Sequence, residues 1–258
     1  MAEIGYGYGS EWHLMRFMAR HRKCLERAIC EKLDDEESKF VWLDFDFANK
    51  TDSSITGDVE IKGLSFLQSD EIKDHLSNEL LDKIKKEYII GWENTQSWDA
   101  IFLKGNTIFL VEAKAHRDEL KSGNDIHGGK SHKEIKSFIG RQFSSLGINE
   151  NDEWLKNYYQ FANRLATTIF LKKHLNDINL DVKLLYIYFV NGYLKKNKRG
   201  KKNKRGNVLY PTINKNTNKT KFEQAIKKEK EILGLKDVPL NDYLVELFID
   251  AETGNIEL

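Results

Sequence analysis

Residues 97–103 (SWDAIFL) and 107–115 (TIFLVEAKA) are two apolar stretches on either side of Gly105-Asn106, a two-residue hairpin signal, and this pairing constrains the chain more than any other feature. With so tight a turn Lys104 pairs Thr107, and the register carried back places Asp99 opposite Glu112. Lys114 lies two residues beyond Glu112 and, because side chains alternate along a strand, shares its face. Like charges directly opposed in an antiparallel ladder, with Cβ atoms about 5 Å apart, are destabilising unless something cationic lies between them. A divalent metal meets that requirement, and the Lys114 ammonium reaches the same spot.

The setting makes these charges costly. Ile108 and Leu110 lie on the Glu112 face of the second strand, and Phe109, Val111 and Ala113 on the other. A strand apolar on both faces belongs to a sheet covered by helices above and below, where an unpaired carboxylate is expensive. The competing reading is a solvated hairpin end whose charges carry no chemistry.

Asp99, twelve intervening residues, then Glu112-Ala113-Lys114 resembles the D…(D/E)xK signature of the PD-(D/E)xK nuclease superfamily. The chain departs from the nominal pattern in having Trp98 rather than Pro before the aspartate, which leaves the metal ligand intact. The resemblance covers residues 1–35 and 85–192 in order of elements. It implies an α/β fold of restriction-endonuclease type, an α-β-β-β-α-β core whose mixed central sheet is flanked by helices and carries insertions. It also implies that Asp99, Glu112 and the Ala113 carbonyl hold Mg²⁺ or Mn²⁺, with Lys114 orienting a water and stabilising the transition state of phosphodiester hydrolysis. DNA is the expected substrate, in restriction, repair or defence, and a homodimer is compatible with the reading. Two other classes stay open: a non-catalytic nucleic-acid-binding module that keeps the fold, and an unrelated α/β protein in which the motif is accidental. No Ser/His or Cys/His constellation offers a nucleophile for covalent catalysis.

At 258 residues the chain suits one domain over 1–258, with residues 34–87 as an insertion and 193–258 as a C-terminal extension. The 31% of charged residues balance to a net +1, so any pull on nucleic acid must be local. The N-terminus lacks a basic region followed by an apolar core, and no apolar run is long enough for a membrane span, which leads us to expect a cytoplasmic protein without a membrane partner. Cys24 and Cys30 are six apart on one expected helix, too far for a disulfide, and read as packing residues.

Ser10 reads as the N-cap of a helix over 11–33 with Leu14, Met15, Met18, Leu25, Ala28, Ile29 and Leu33 on its apolar stripe. Glu11, at the first helical position, complements the helix dipole; the superfamily resemblance gives it a second role, an acidic residue of the first helix facing the metal site. Residues 41–47 alternate as a half-exposed strand with Asp44 and Asp46 on its solvated face, 57–67 give a second strand, 70–87 a charged helix, and Tyr88–Trp92 begins the sheet. Residues 116–133 read as a polar loop whose His127, Lys130 and His132 offer phosphate contacts; the glycine spacing is wrong for a P-loop. A helix over 153–175 then crosses to an apolar strand at 182–190, parallel to the Glu112 strand by the right-handed crossover rule. Gln160 and Arg164 lie one turn apart on that helix and read as a polar face, although some superfamily relatives use a glutamine there.

Residues 195–200 (KKNKRG) repeat unchanged as 201–206. Lys195, Lys196, Lys198, Arg199, Lys201, Lys202, Lys204 and Arg205 crowd a stretch with nothing apolar, which reads as a loop or hairpin tip gripping the phosphate backbone. Residues 220–233 form a Lys/Glu-rich helix, and Leu244–Ile249 an apolar element without a clear place.

Overall fold

Lys104 pairs Thr107 across a turn in which Gly105 takes a φ of 58°, accessible to glycine at little cost, and the ladder runs back to Ala100 opposite Val111. The computed structural model in which this hairpin is seen describes residues 9–43, 61–88, 96–121, 130–195, 213–215 and 218–257. Along the chain these form helices α1 (Ser10–Arg20) and α2 (Arg22–Leu33), strands β1 (Phe40–Trp42) and β2 (Ile61–Lys62), helices α3 (Asp70–Lys73) and α4 (Asn78–Glu87), and strands β3 (Ser97–Trp98), β4 (Ala100–Lys104) and β5 (Thr107–Lys114). Helices α5 (Lys130–Ser144) and α6 (Tyr159–Leu175) follow, then strands β6 (Asp181–Val190), β7 (Tyr193–Lys195) and β8 (Ile213–Lys215), helix α7 (Lys219–Ile232) and strand β9 (Leu244–Asp250).

The central sheet has the order β1-β4-β5-β6-β9, antiparallel through the first three strands and parallel from β5 onward. Each face is buried, as the doubly apolar β5 requires. On one face Leu14, Phe17 and Met18 of α1 and Leu25, Ala28 and Ile29 of α2 pack on Phe102, Phe109, Val111, Ala113 and Ile187. On the other, helices α4 to α7 cover Ile101, Ile108, Leu110, Leu184, Tyr186 and Tyr188. The protein is thus α/β, a five-stranded mixed sheet between helical layers, and no helix among the described residues is long and apolar enough to cross a membrane.

Several elements differ from the expected ones. The first helix is two, broken at His21 (φ −125°, ψ 29°); Gly9 rather than Ser10 occupies the cap, with no side-chain cap bond, so Glu11 is the second helical residue. The expected helix 70–87 is divided at Ser77, whose hydroxyl accepts the Leu80 N–H and starts α4 afresh. Strand β1, placed by sequence in an insertion, is the edge of the central sheet beside β4. Tyr88 is the C-cap of α4, residues 89–95 lie outside the described residues, and so do Asp44, Asp46 and His127. Lys130 and His132 head α5, a helix whose first turn falls in the expected loop. The expected helix 153–175 opens as a short 3₁₀ turn, Asp152–Leu155, before α6. Cys24 and Cys30 are both free thiols.

Candidate active site

Asp99 sits where the chain changes sheets. Trp98 pairs Ile61 of β2 and donates its indole N–H to the Gly63 carbonyl at 2.9 Å, while Ala100 is already in the central ladder. The bend between them still sends the Asp99 N–H to the Val111 carbonyl (3.1 Å), and the Asp99 carboxylate accepts the N–H of Ala113 at 2.7 Å. Asp99 therefore caps the end of the hairpin next to Glu112, at the carboxyl end of β5, where ligands of parallel sheets gather.

Glu112 and Lys114 project into the helical layer of α6, buried to 1% and 6% exposure. Lys114 Nζ lies 2.5 Å from Glu112 Oε1 and donates to Gln160 Oε1 at 2.8 Å. Arg164 Nε forms an ion pair with Glu112 Oε2 at 2.6 Å, and Arg164 Nη2 donates to the Ser97 carbonyl at 2.8 Å. The guanidinium carbon is 5.7 Å from the centre of the Trp98 ring, within cation–π range. Asp99 and Gln160 are half-buried, so the cluster is reached past them.

Burial drives the Asp99 carboxyl well above the usual carboxylate range, and the charge of Glu112 adds to it; Lys114, the Ala113 N–H and Arg164 act the other way. The adjoining carboxylates of Asp99 and Glu112 disfavour each other's charge. A pair of adjoining carboxylates fits a hard divalent cation held by oxygen ligands, in competition with the Lys114 and Arg164 charges that face Glu112. Among the described residues no group of three or more His, Cys, Asp or Glu side chains forms a metal cage. Two carboxylates suit an ion such as Mg²⁺ that keeps most of its waters.

Glu119 and His116, which sequence reasoning left in a polar loop, border the end of β5. The Glu119 carboxylate accepts the Ala115 N–H at 2.6 Å and pairs with His116 Nε2 at 3.1 Å. Burial alone would raise its carboxyl, yet His116, the Ala115 N–H and the Lys114 charge leave it below its ordinary value. Glu11 lies half-buried in the first turn of α1, in the layer on the opposite face of the sheet from Glu112. Ala113, Gln160 and Arg164 supply contacts that organise Asp99, Glu112 and Lys114.

A further acid was missed. Glu229 of α7 is 1% exposed, and its Oε2 has no hydrogen-bond partner among the described residues. Burial is the main reason its carboxyl is pushed up to about 8; Glu246 reinforces the shift, and Lys114 and Lys230 oppose it. Its signal was present in the sequence, since Phe222, Ile226, Glu229 and Leu233 follow the spacing of an inward helix stripe.

No family model, curated protein or solved structure matches the chain. Function therefore has to be argued from the site.

Proposed function

We propose that this chain is a metal-dependent nuclease of the PD-(D/E)xK type, hydrolysing phosphodiester bonds with DNA as substrate. The observation that carries the reading is the meeting of Asp99, whose carboxylate accepts the Ala113 N–H, with Glu112 and Lys114 at one sheet end. The order of α1, the antiparallel trio β1, β4 and β5, the crossover helices and parallel β6 supports a restriction-endonuclease-like core.

In this reading Asp99, Glu112 and the Ala113 carbonyl hold Mg²⁺ or Mn²⁺. When bound, the ion supplies Lewis-acid charge to the scissile phosphate and lowers the pKa of an attacking water. Lys114, steadied by Gln160, orients that water and faces the negative charge that builds on the phosphate. Trp98, under the Arg164 guanidinium, and Tyr186, paired with Glu112 in the β5–β6 ladder, are buried beside the cluster, where low polarity strengthens these interactions. The role of Glu11 stays tied to the superfamily resemblance.

A second reading, a structural ion-pair network in an α/β protein of other function, draws on the neutralisation of Glu112 by Lys114 and Arg164. Mn²⁺ titration and cleavage separate the two. The wild-type protein should bind Mn²⁺ by calorimetry and cut plasmid or single-stranded DNA with Mg²⁺ or Mn²⁺. Asp99→Asn, which keeps an acceptor for the Ala113 N–H, should stay folded while losing metal affinity and cleavage. Unchanged Mn²⁺ affinity in Asp99→Asn removes the metal site and leaves the ion-pair reading.

A further inference from the structure

The contacts of Glu112 leave a metal no vacant approach. One oxygen faces Lys114 at 2.5 Å and the other faces Arg164 at 2.6 Å, and all three side chains are buried. A divalent ion can reach Glu112 only if one of the two cations withdraws. Each also has attachments beyond Glu112. Lys114 makes a directed hydrogen bond to Glu112 and a second to Gln160. Arg164 faces Glu112 through Nε and is also attached outside the carboxylate, donating from Nη2 to the Ser97 carbonyl and lying over the Trp98 ring. An arginine so anchored can swing its Nε away without losing its position at the mouth of the site. It cannot lose its charge, so a phosphate beside it is favoured once Glu112 is taken.

Resting on the metal-site reading above, we propose that Arg164 alternates between two anions, holding Glu112 in the metal-free protein and a backbone phosphate of the substrate once a divalent ion has taken Glu112. The charge balance argues for the exchange. Among the described residues Asp99 and Glu112 face Lys114 and Arg164, so a bound divalent ion adds positive charge that a phosphodiester, received by the guanidinium's planar fork of donors, can settle. Arg164 is then both the counter-ion that lets a pair of buried carboxylates fold without metal and a phosphate contact that appears only in the loaded site. Nothing in the D…(D/E)xK motif assigns this residue.

The experiment compares wild type, Arg164→Gln and Arg164→Lys, each stripped of metal, with circular dichroism and melting temperature establishing the fold. Mn²⁺ alone is titrated first. Arg164→Gln should bind it about tenfold more tightly, because one competing charge-assisted contact is gone, and Arg164→Lys should fall between. A short DNA duplex is titrated next, with EDTA and then with Ca²⁺, a hard oxygen-seeking ion. Arg164→Gln should weaken duplex binding in Ca²⁺ by about tenfold and leave it unchanged in EDTA. Should Arg164→Gln not fold, Arg164→Lys carries both comparisons with the same sign.

Equal Mn²⁺ affinity in the folded variants, or a loss of duplex affinity as large in EDTA as in Ca²⁺, overturns the alternation while the metal site stands. Wild-type protein that binds no Mn²⁺ overturns the metal site itself, and the alternation with it.

Discussion

Glu229 shows what one misplaced polarity does. It occupies an inward position of α7 between Ile226 and Leu233, where an apolar residue would pack, and holds its proton up to about 8 against an ordinary 4.5. Burial is the main cause, and the groups that face it are Lys114 on β5, Glu246 on β9 and Lys230 on its own helix. A carboxyl whose pKa is raised by folding contributes stability that is fully present below 4.5 and is lost as the pH rises through about 8. Wild-type stability should therefore decline between about pH 5 and pH 9, by an amount on the order of a few kcal/mol. Glu229→Gln has no proton to lose there, so its urea-unfolding free energy should change less over the same range. An unsatisfied amide in the buried position lowers stability equally at all pH, so the slope is the readout. Parallel slopes in the two proteins would place the Glu229 carboxylate in solvent. At this scale the closeness of Asp99, Glu112 and Lys114 at the hairpin end was legible, because side chains that share a strand end follow from turn length and strand alternation. Arg164 and Gln160 were under-read as a polar face: whether a polar pair on a helix points to water or to a buried acid depends on what lies across from it. Lys114→Ala keeps Asp99 and Glu112 as ligands while removing the group that faces the phosphate, so it should bind Mn²⁺ and lose cleavage. Cleavage at the wild-type rate in that variant would make the lysine structural.

Elements were legible where their signal was local. The hairpin, the crossover helix and the parallel strand at 181–190 follow from turn chemistry and periodicity; β5 and β6 lie within a residue of their expected bounds, while β4 starts only at Ala100, because 97–98 pair with β2, and α6 starts later behind a 3₁₀ turn. The break at His21 was not legible, since the apolar stripe runs on through it and both helices use it against the same sheet face. The sheet partnership of β1 was hidden for a different reason. Its three residues are brought to β4 by long-range pairing, anchored at the turn by Lys104, whose ammonium is buried against Asp35 (3.0 Å) and the Ser38 carbonyl (2.7 Å). The final strand had no place in the sequence reading, yet β9 extends the parallel half of the sheet beside β6, with Tyr186 opposite Glu246 and Tyr188 opposite Phe248. The C-terminal segment is thus core. Phe222 anchors it: fully buried, with its ring 5.3 Å from that of Tyr188. Phe222→Ala should cost about 3–5 kcal/mol, as for other large-to-small changes in a packed interior, measured by urea unfolding. A loss below about 1 kcal/mol, the range of surface changes, would mark α7 as an appendage.

The charge of the whole molecule is nearly balanced, so its long-range field cannot by itself draw a polyanion; what matters is where the positive charge is gathered. Eight cations lie within residues 195–206. Of these, Lys195 ends β7, which pairs antiparallel with β8 through Tyr193–Lys215 and Lys195–Ile213, and Lys196 through Arg205 lie outside the described residues. The chain that carries the run therefore leaves and rejoins the fold at a paired strand base, just after the carboxyl end of β6, on the side of the sheet where β5 presents Glu112 and Lys114. If this stretch grips the backbone, its composition provides charge without a framework for reading bases, so its contribution should be the same for every DNA sequence. Replacing Lys196, Lys198, Arg199, Lys201, Lys202, Lys204 and Arg205 with serine should weaken duplex binding at low salt. The slope of log affinity against log salt should flatten by roughly 0.9 for each phosphate that the run neutralises. Mn²⁺ affinity, set by Asp99 and Glu112, should stay at the wild-type value, as should hydrolysis of a small phosphodiester that reaches the carboxylates alone. Equal duplex affinity and equal salt slope in the serine variant would show that these cations serve solubility, and the search for the nucleic-acid grip would move to His132 and the head of α5.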